Sequence, residues 1–70
     1  MTRLRALRVL SGETQVDTAR QLQVVPSWYA QVERGAVPVS DRLKARIETK
    51  FGLPWSQLSE NVSPSILLPA

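Results

Sequence analysis

An all-α fold of five short helices is predicted by three features of this 70-residue chain. Gly12, Gly35 and Gly52 each close a stretch whose apolar residues recur at helical spacing. Leu43, Ile47 and Phe51 stand at i, i+4 and i+8, the stripe of a helix with one buried face. Thr14 to Gly35 reads as two short helices joined by a tight turn, and the rest of the chain is organised around it.

The first helix is expected over residues 2–11, with Leu4 and Leu7 on one face, Val9 and Leu10 nearby, and Gly12 ending it. Arg8 lies beside Leu7 at the edge of that stripe, where an unpaired guanidinium is costly. Thr14 caps the second helix, and Asp17 makes a short-armed capping box with it. Ala19 and Leu22 follow at helical spacing, and Gln23-Val24-Val25 is long enough only for a turn. The third helix begins near Pro26 or Ser27, carries Tyr29 and Val32 on one face, and stops at Gly35. Two helices with a turn of three or four residues form a helix-turn-helix. In that geometry one helix braces against a DNA backbone while the other enters the major groove.

Pro38 blocks helix continuation, so residues 36–39 are a loop. Ser40 caps the fourth helix, with Asp41 at its positive end and Gly52 closing it. Residues 53–58 make a short fifth helix with Pro54 at its first position and Trp55 and Leu58 turned to the core. The chain thus divides into a domain of residues 1–58 and a tail of residues 59–70. That tail holds Pro64, Pro69 and the apolar cluster Ile66-Leu67-Leu68. It is either loose or an arm that packs on its own domain or on a second subunit.

Composition narrows the function. With neither cysteine nor histidine there is no disulfide, and metal ligation would rest on carboxylates alone, so no metal or cofactor is expected. No apolar run approaches the roughly 18 residues of a membrane span, and the N-terminal arginines do not resemble a signal peptide. A cytoplasmic, nucleoid-associated location is expected. An enzyme is disfavoured: Asp17 and Asp41 sit at helix starts, Glu13, Glu48 and Glu60 read as solvated, and no two carboxylates are placed to share acid–base work. The net charge of +3 is modest. Its placement says more: Arg3, Arg5, Arg8, Arg42, Lys44, Arg46 and Lys50 flank the two-helix unit, as suits phosphate contacts.

Over residues 4–58 the pattern resembles the lambda-repressor-like DNA-binding domains of the Cro/C1 or XRE type. Leu4, Leu7, Arg8 and Gly12 match the first helix and its turn, Thr14-Gln15 the opening of the second, and Ala19 the small residue where the two helices touch. Leu22 and Val24 match the turn region, and Val32, Glu33 and Gly35 the end of the recognition helix. The resemblance implies an Arg8–Glu33 ion pair of structural role, and a phosphate contact from Gln15. It places Pro26, Ser27 and Gln31 where the family reads base edges. Gln31 can bond adenine bidentately. If Tyr29 and Val32 face the core, then Ser27, Trp28 and Gln31 face outward. Trp28 either presses on a thymine methyl or sugar, or packs on the turn. Arg34 and Arg42 are the expected phosphate contacts. Two positions depart from the family: Gln23 replaces the turn glycine, at a cost on the order of 1 kcal/mol, and Val25 replaces the Ser or Thr cap.

The expected function is that of a sequence-specific regulator that binds double-stranded DNA as a homodimer on a two-fold symmetric operator, in the manner of a small phage or mobile-element repressor. The alternative is a protein-interaction module reusing the fold, antirepressor-like or antitoxin-like, with a protein partner. The low charge of residues 13–39 and the apolar tail keep that alternative open.

Overall fold

The computed structural model describes residues 1–63 and residue 65, so Pro64, Pro69 and the Ile66-Leu67-Leu68 cluster lie outside the described residues. Five helices follow in order: α1 (Arg3–Leu10), α2 (Gln15–Leu22), α3 (Pro26–Arg34), α4 (Asp41–Phe51) and α5 (Trp55–Leu58). The fold is all-α with the helix-turn-helix at α2 and α3. No helix among the described residues is long and apolar enough to cross a membrane.

Side-chain caps set the starts of α1, α2 and α4. Thr2 precedes α1 rather than starting it, because its hydroxyl accepts the Arg5 N–H at 3.3 Å. At the other end Ser11 is already outside the helix. Eight residues leave α1 only two turns, so Leu4 and Ala6 are buried, Leu7 is half-buried, and Val9 and Leu10 face solvent. The reciprocal capping box at α2 is complete, with Asp17 N–H donating to Thr14 Oγ1 at 3.1 Å and Thr14 N–H to Asp17 Oδ2 at 3.4 Å.

Gln23 ends α2 in the left-handed region at φ 61°. Its N–H bonds the Arg20 carbonyl at 3.2 Å and Val24 N–H bonds that of Ala19 at 3.0 Å, the paired bonds of a Schellman stop. Gly35 ends α3 with the same pair of bonds, to Val32 and Gln31, without the strain of a Cβ. From α4, Arg46 Nη1 donates to the Leu22 carbonyl at 3.2 Å and covers another orphaned acceptor at the end of α2.

The start of α5 and three of the acids also differ from the sequence reading. Pro54 is the N-cap of α5 and not its first residue. It has no side-chain acceptor, and Glu48 supplies one: its Oε2 accepts the Trp55 N–H at 2.6 Å. Glu48 is therefore a cap contributed by α4, where the sequence suggested a solvated acid. Glu13 and Glu60 are not free in solvent either, for they pair with Lys50 at 3.0 Å and Arg3 at 3.2 Å.

The core is built from Leu4, Ala19, Leu22, Tyr29, Val32, Leu43, Ile47 and Leu58, drawn from all five helices. Phe51, Trp55, Val37 and Val39 pack around it, half-buried. Beyond α5 the chain returns to its beginning. Thr2 and Asn61 form an antiparallel bridge, flanked by Arg3 N–H to the Glu60 carbonyl at 2.8 Å and Val62 N–H to the Met1 carbonyl at 2.7 Å. The first residues after 58 are thus joined to the N-terminus.

Candidate nucleic-acid interface

A buried carboxylate fixes the pose of α3. Glu33, in its last turn, has a side chain only 1% exposed. Arg8 Nε donates to Glu33 Oε2 at 2.7 Å and Nη2 to Oε1 at 3.0 Å, a two-point grip between α1 and α3. The third nitrogen of the same guanidinium, Nη1, donates to the Glu13 carbonyl at 2.7 Å. Thr2, the cap of α1, donates its hydroxyl to the Glu33 backbone carbonyl. Burial by itself would raise the Glu33 carboxyl, but the Arg8 guanidinium and the donors beside it hold it below the usual carboxylate range. The bond to Glu33 in turn raises the Arg8 pKa above the ordinary arginine value, against the opposing effect of burial. The Tyr29 hydroxyl makes no hydrogen bond among the described residues. Its burial, and then the neighbouring Glu33 carboxylate, push its pKa far above that of an ordinary tyrosine.

Gln15 joins the same group. Its Nε2 donates to Glu33 Oε1 at 3.2 Å. A carboxamide nitrogen carries two hydrogens, so one donor and the amide oxygen remain. The half-buried Gln15 side chain lines an open groove of ≈ 600 Å³ together with Arg5, Val9 and Thr14 at the start of α2.

The outward face of α3 has a different character. Pro26, Ser27 and Trp28 are exposed, Trp28 at 42%, and Gln31 one turn later is half-buried rather than fully outward. No charged residue stands in the first two turns of this helix. Arg34 ends α3 and Arg42 stands in the first turn of α4; both are exposed. The cations differ in their partners, and Arg5 Nε reaches Glu33 Oε1 only at 4.0 Å. Arg3, Arg8 and Lys50 are in close ion pairs and Arg46 is bonded to a carbonyl. Among the described residues Arg20, Arg34, Arg42 and Lys44 make no salt bridge.

The exposure of Val25 was not foreseen from sequence. This residue caps α3 with no side-chain hydrogen bond and is 63% exposed. The signal was present as the missing cap-type residue at that position, read only as a lost bond. The structured roles of Glu48 and Lys50 were also missed, since each depends on a tertiary partner.

A two-helix unit with its second helix held by a buried ion pair, an uncharged exposed face at that helix's start and an exposed arginine at its end defines a helix-turn-helix DNA-binding domain. Residues 2–57 match the family described as a helix-turn-helix domain, and the chain belongs to that family, of the Cro/C1 or XRE type. Neither a curated protein nor a solved structure matches the chain significantly. Membership implies DNA binding in a family that is typically non-enzymatic.

Proposed function

We propose that the chain is a sequence-specific transcriptional regulator, a small repressor of phage or mobile-element type that binds a two-fold symmetric operator as a homodimer. The observation that carries this reading is the separation of charge. Acids are engaged inside the domain or at helix starts, while Arg34 at the end of α3 and Arg42 in the first turn of α4 are exposed and make no salt bridge among the described residues. In this reading Pro26, Ser27, Trp28 and Gln31 meet base edges, and Gln15, Arg34 and Arg42 hold phosphates. Glu33 would orient Gln15 for that contact, leaving its second amide hydrogen for a phosphate oxygen. A domain this small offers a limited interface, so two copies on half-sites roughly 34 Å apart would supply the area and the symmetry.

The test is a gel-shift titration against DNA flanking the chain's own gene, with unrelated DNA as control, at low and moderate salt. A discrete, competitor-resistant complex saturating at two chains per site is the expected result. Weak binding to any duplex that salt erases would overturn it and favour the protein-interaction reading.

A further inference from the structure

We propose that Val25 and Trp28 together form an apolar reader of the 5-methyl group of pyrimidines in the major groove. This rests on the reading of the chain as a sequence-specific DNA-binding protein.

Val25 occupies the one position before α3 where a polar side chain would cap the helix, and it makes no such bond. It does not serve the core either, at 63% exposed. Neither local structure nor packing accounts for a branched apolar side chain there. The breach of a local rule at an exposed surface points to a contact outside the chain. Trp28 follows three residues later with 42% of its surface open. A cap residue's side chain overlies the first turn of its helix, and i, i+3 side chains are neighbours, so the two form one surface. Pro26 between them is exposed and has no N–H. Ser27 offers a hydroxyl in this turn, and the indole N–H of Trp28 leaves the faces of its ring apolar.

Charge identifies the occupant. An apolar protein partner would not call for the exposed arginines at the end of α3 and the start of α4, whereas a polyanion does. On the major-groove edge of DNA the one apolar group is the methyl on C5 of thymine, and 5-methylcytosine carries the same group on the same carbon. A valine and an indole face cover such a methyl where they leave a carbonyl or amino group unsatisfied. The proposal therefore assigns pyrimidine 5-methyl groups to the start of α3, and hydrogen-bonding readout to Ser27 and Gln31.

The test uses the full chain. A duplex is selected from a random library at moderate salt, and each thymine is replaced singly by deoxyuridine in fluorescence-anisotropy titrations. At one or two positions per half-site, loss of the methyl should weaken binding about fourfold, the worth of one buried methyl-sized group. Val25→Ser supplies the missing cap residue, and Trp28→Ser alters an exposed side chain outside the core cluster, so both variants should fold. Each should still bind, with the thymine–uracil difference reduced or gone. Exchanging a responsive A·T pair for G·C should weaken binding, and recovery on C5 methylation of that cytosine assigns the contact to the methyl whichever base bears it. A loss that methylation does not recover confines the reader to thymine. Uracil-containing duplexes bound as tightly as the parent at every position, or a thymine–uracil difference unchanged in both variants, overturn the inference and leave the regulator reading standing. Failure to select any preferred duplex overturns both.

Discussion

Arg8 and Glu33 stand 25 residues apart in the chain and meet in two hydrogen bonds of 2.7 and 3.0 Å, with side chains only 10% and 1% exposed. The pair fastens the end of α3 to α1, and through Gln15 the same carboxylate is joined to the start of α2. Removing one partner leaves a buried charge without compensation, which typically costs roughly 3–5 kcal/mol. That is a large share of the stability of a domain this size. Arg8→Ala should therefore unfold most of the protein or sharply lower its Tm. The double variant Arg8→Met, Glu33→Leu should recover much of the loss, because replacing both charges strands neither. Urea titrations followed by circular dichroism read both, and an Arg8→Ala protein as stable as the parent would refute the role given to the pair.

Acid should weaken the fold through the same carboxylate and through Glu13. Both are held below their ordinary value of 4.5: Glu33 by Arg8 against the effect of burial, Glu13 first by its bond to Lys50. A depressed carboxyl contributes stability that is present above its unfolded pKa and is lost as pH falls through its folded one. The urea midpoint should then be insensitive to these groups from neutrality down to about pH 5 and fall below that. Lys50→Met should reduce the part of the acid slope that belongs to Glu13, leaving what its bonds to Gln21 and Ser11 contribute. Midpoints measured from pH 7 to 3 for parent and variant decide it, and parallel curves would exclude the Lys50 contact.

What the residue pattern disclosed, and what it concealed, follows the range of each interaction. The Thr14–Asp17 box and the Ser40 cap act within one turn, so residue type and spacing announce them. The Tyr29 and Val32 face and the Leu43 and Ile47 stripe were legible for the same reason, since a helix converts spacing into a face. Leu10 misled because the apolar pattern outruns the two turns of α1. Glu48 was illegible as a cap because its carboxylate reaches across the Gly52 turn to Trp55, a placement that only the packing of α4 on α5 creates. At the candidate interface the position of α3 could be inferred, whereas the exposure of Val25 depended on how the turn enters the helix.

Gln23 carries backbone strain that glycine would relieve. At φ 61° a side chain beyond Cα costs on the order of 1 kcal/mol. The greater freedom of glycine in the unfolded chain takes back part of that gain. Gln23→Gly should raise Tm by a few degrees, on a scale of about 4–8 °C per kcal/mol for a domain of this length. A lower Tm would mean that the exposed Gln23 side chain makes a stabilising contact.

Thr18 presents an unpaired polar atom within the fold. The residue is fully buried in α2 and its Oγ1 has no hydrogen-bond partner among the described residues. Such an orphan costs about 1–3 kcal/mol, and valine has nearly the same shape without the hydroxyl. Thr18→Val should be neutral to stabilising by up to roughly 1 kcal/mol after valine's poorer helix preference is counted. Thermal melts suffice, and a loss above that size would indicate that the hydroxyl is bonded in solution.

The division of labour between α3 and its flanks can be separated with two alanine variants. Arg42 is exposed in the first turn of α4 and makes no salt bridge among the described residues, so its removal should leave the fold intact. If it holds a phosphate, Arg42→Ala weakens binding to the selected duplex and to unrelated DNA alike, and reduces the slope of log K against log salt by about 1. Gln31 stands one turn into α3, half-buried, on the side that Ser27 begins. If it bonds a base edge, Gln31→Ala costs roughly 1–3 kcal/mol on the selected duplex and leaves nonspecific binding and the salt slope nearly unchanged. Anisotropy titrations of each variant on both duplexes at three salt concentrations resolve the cases. Equal losses from Gln31→Ala on both duplexes would remove it from the base readers, and an unchanged slope for Arg42→Ala would remove Arg42 from the phosphate contacts.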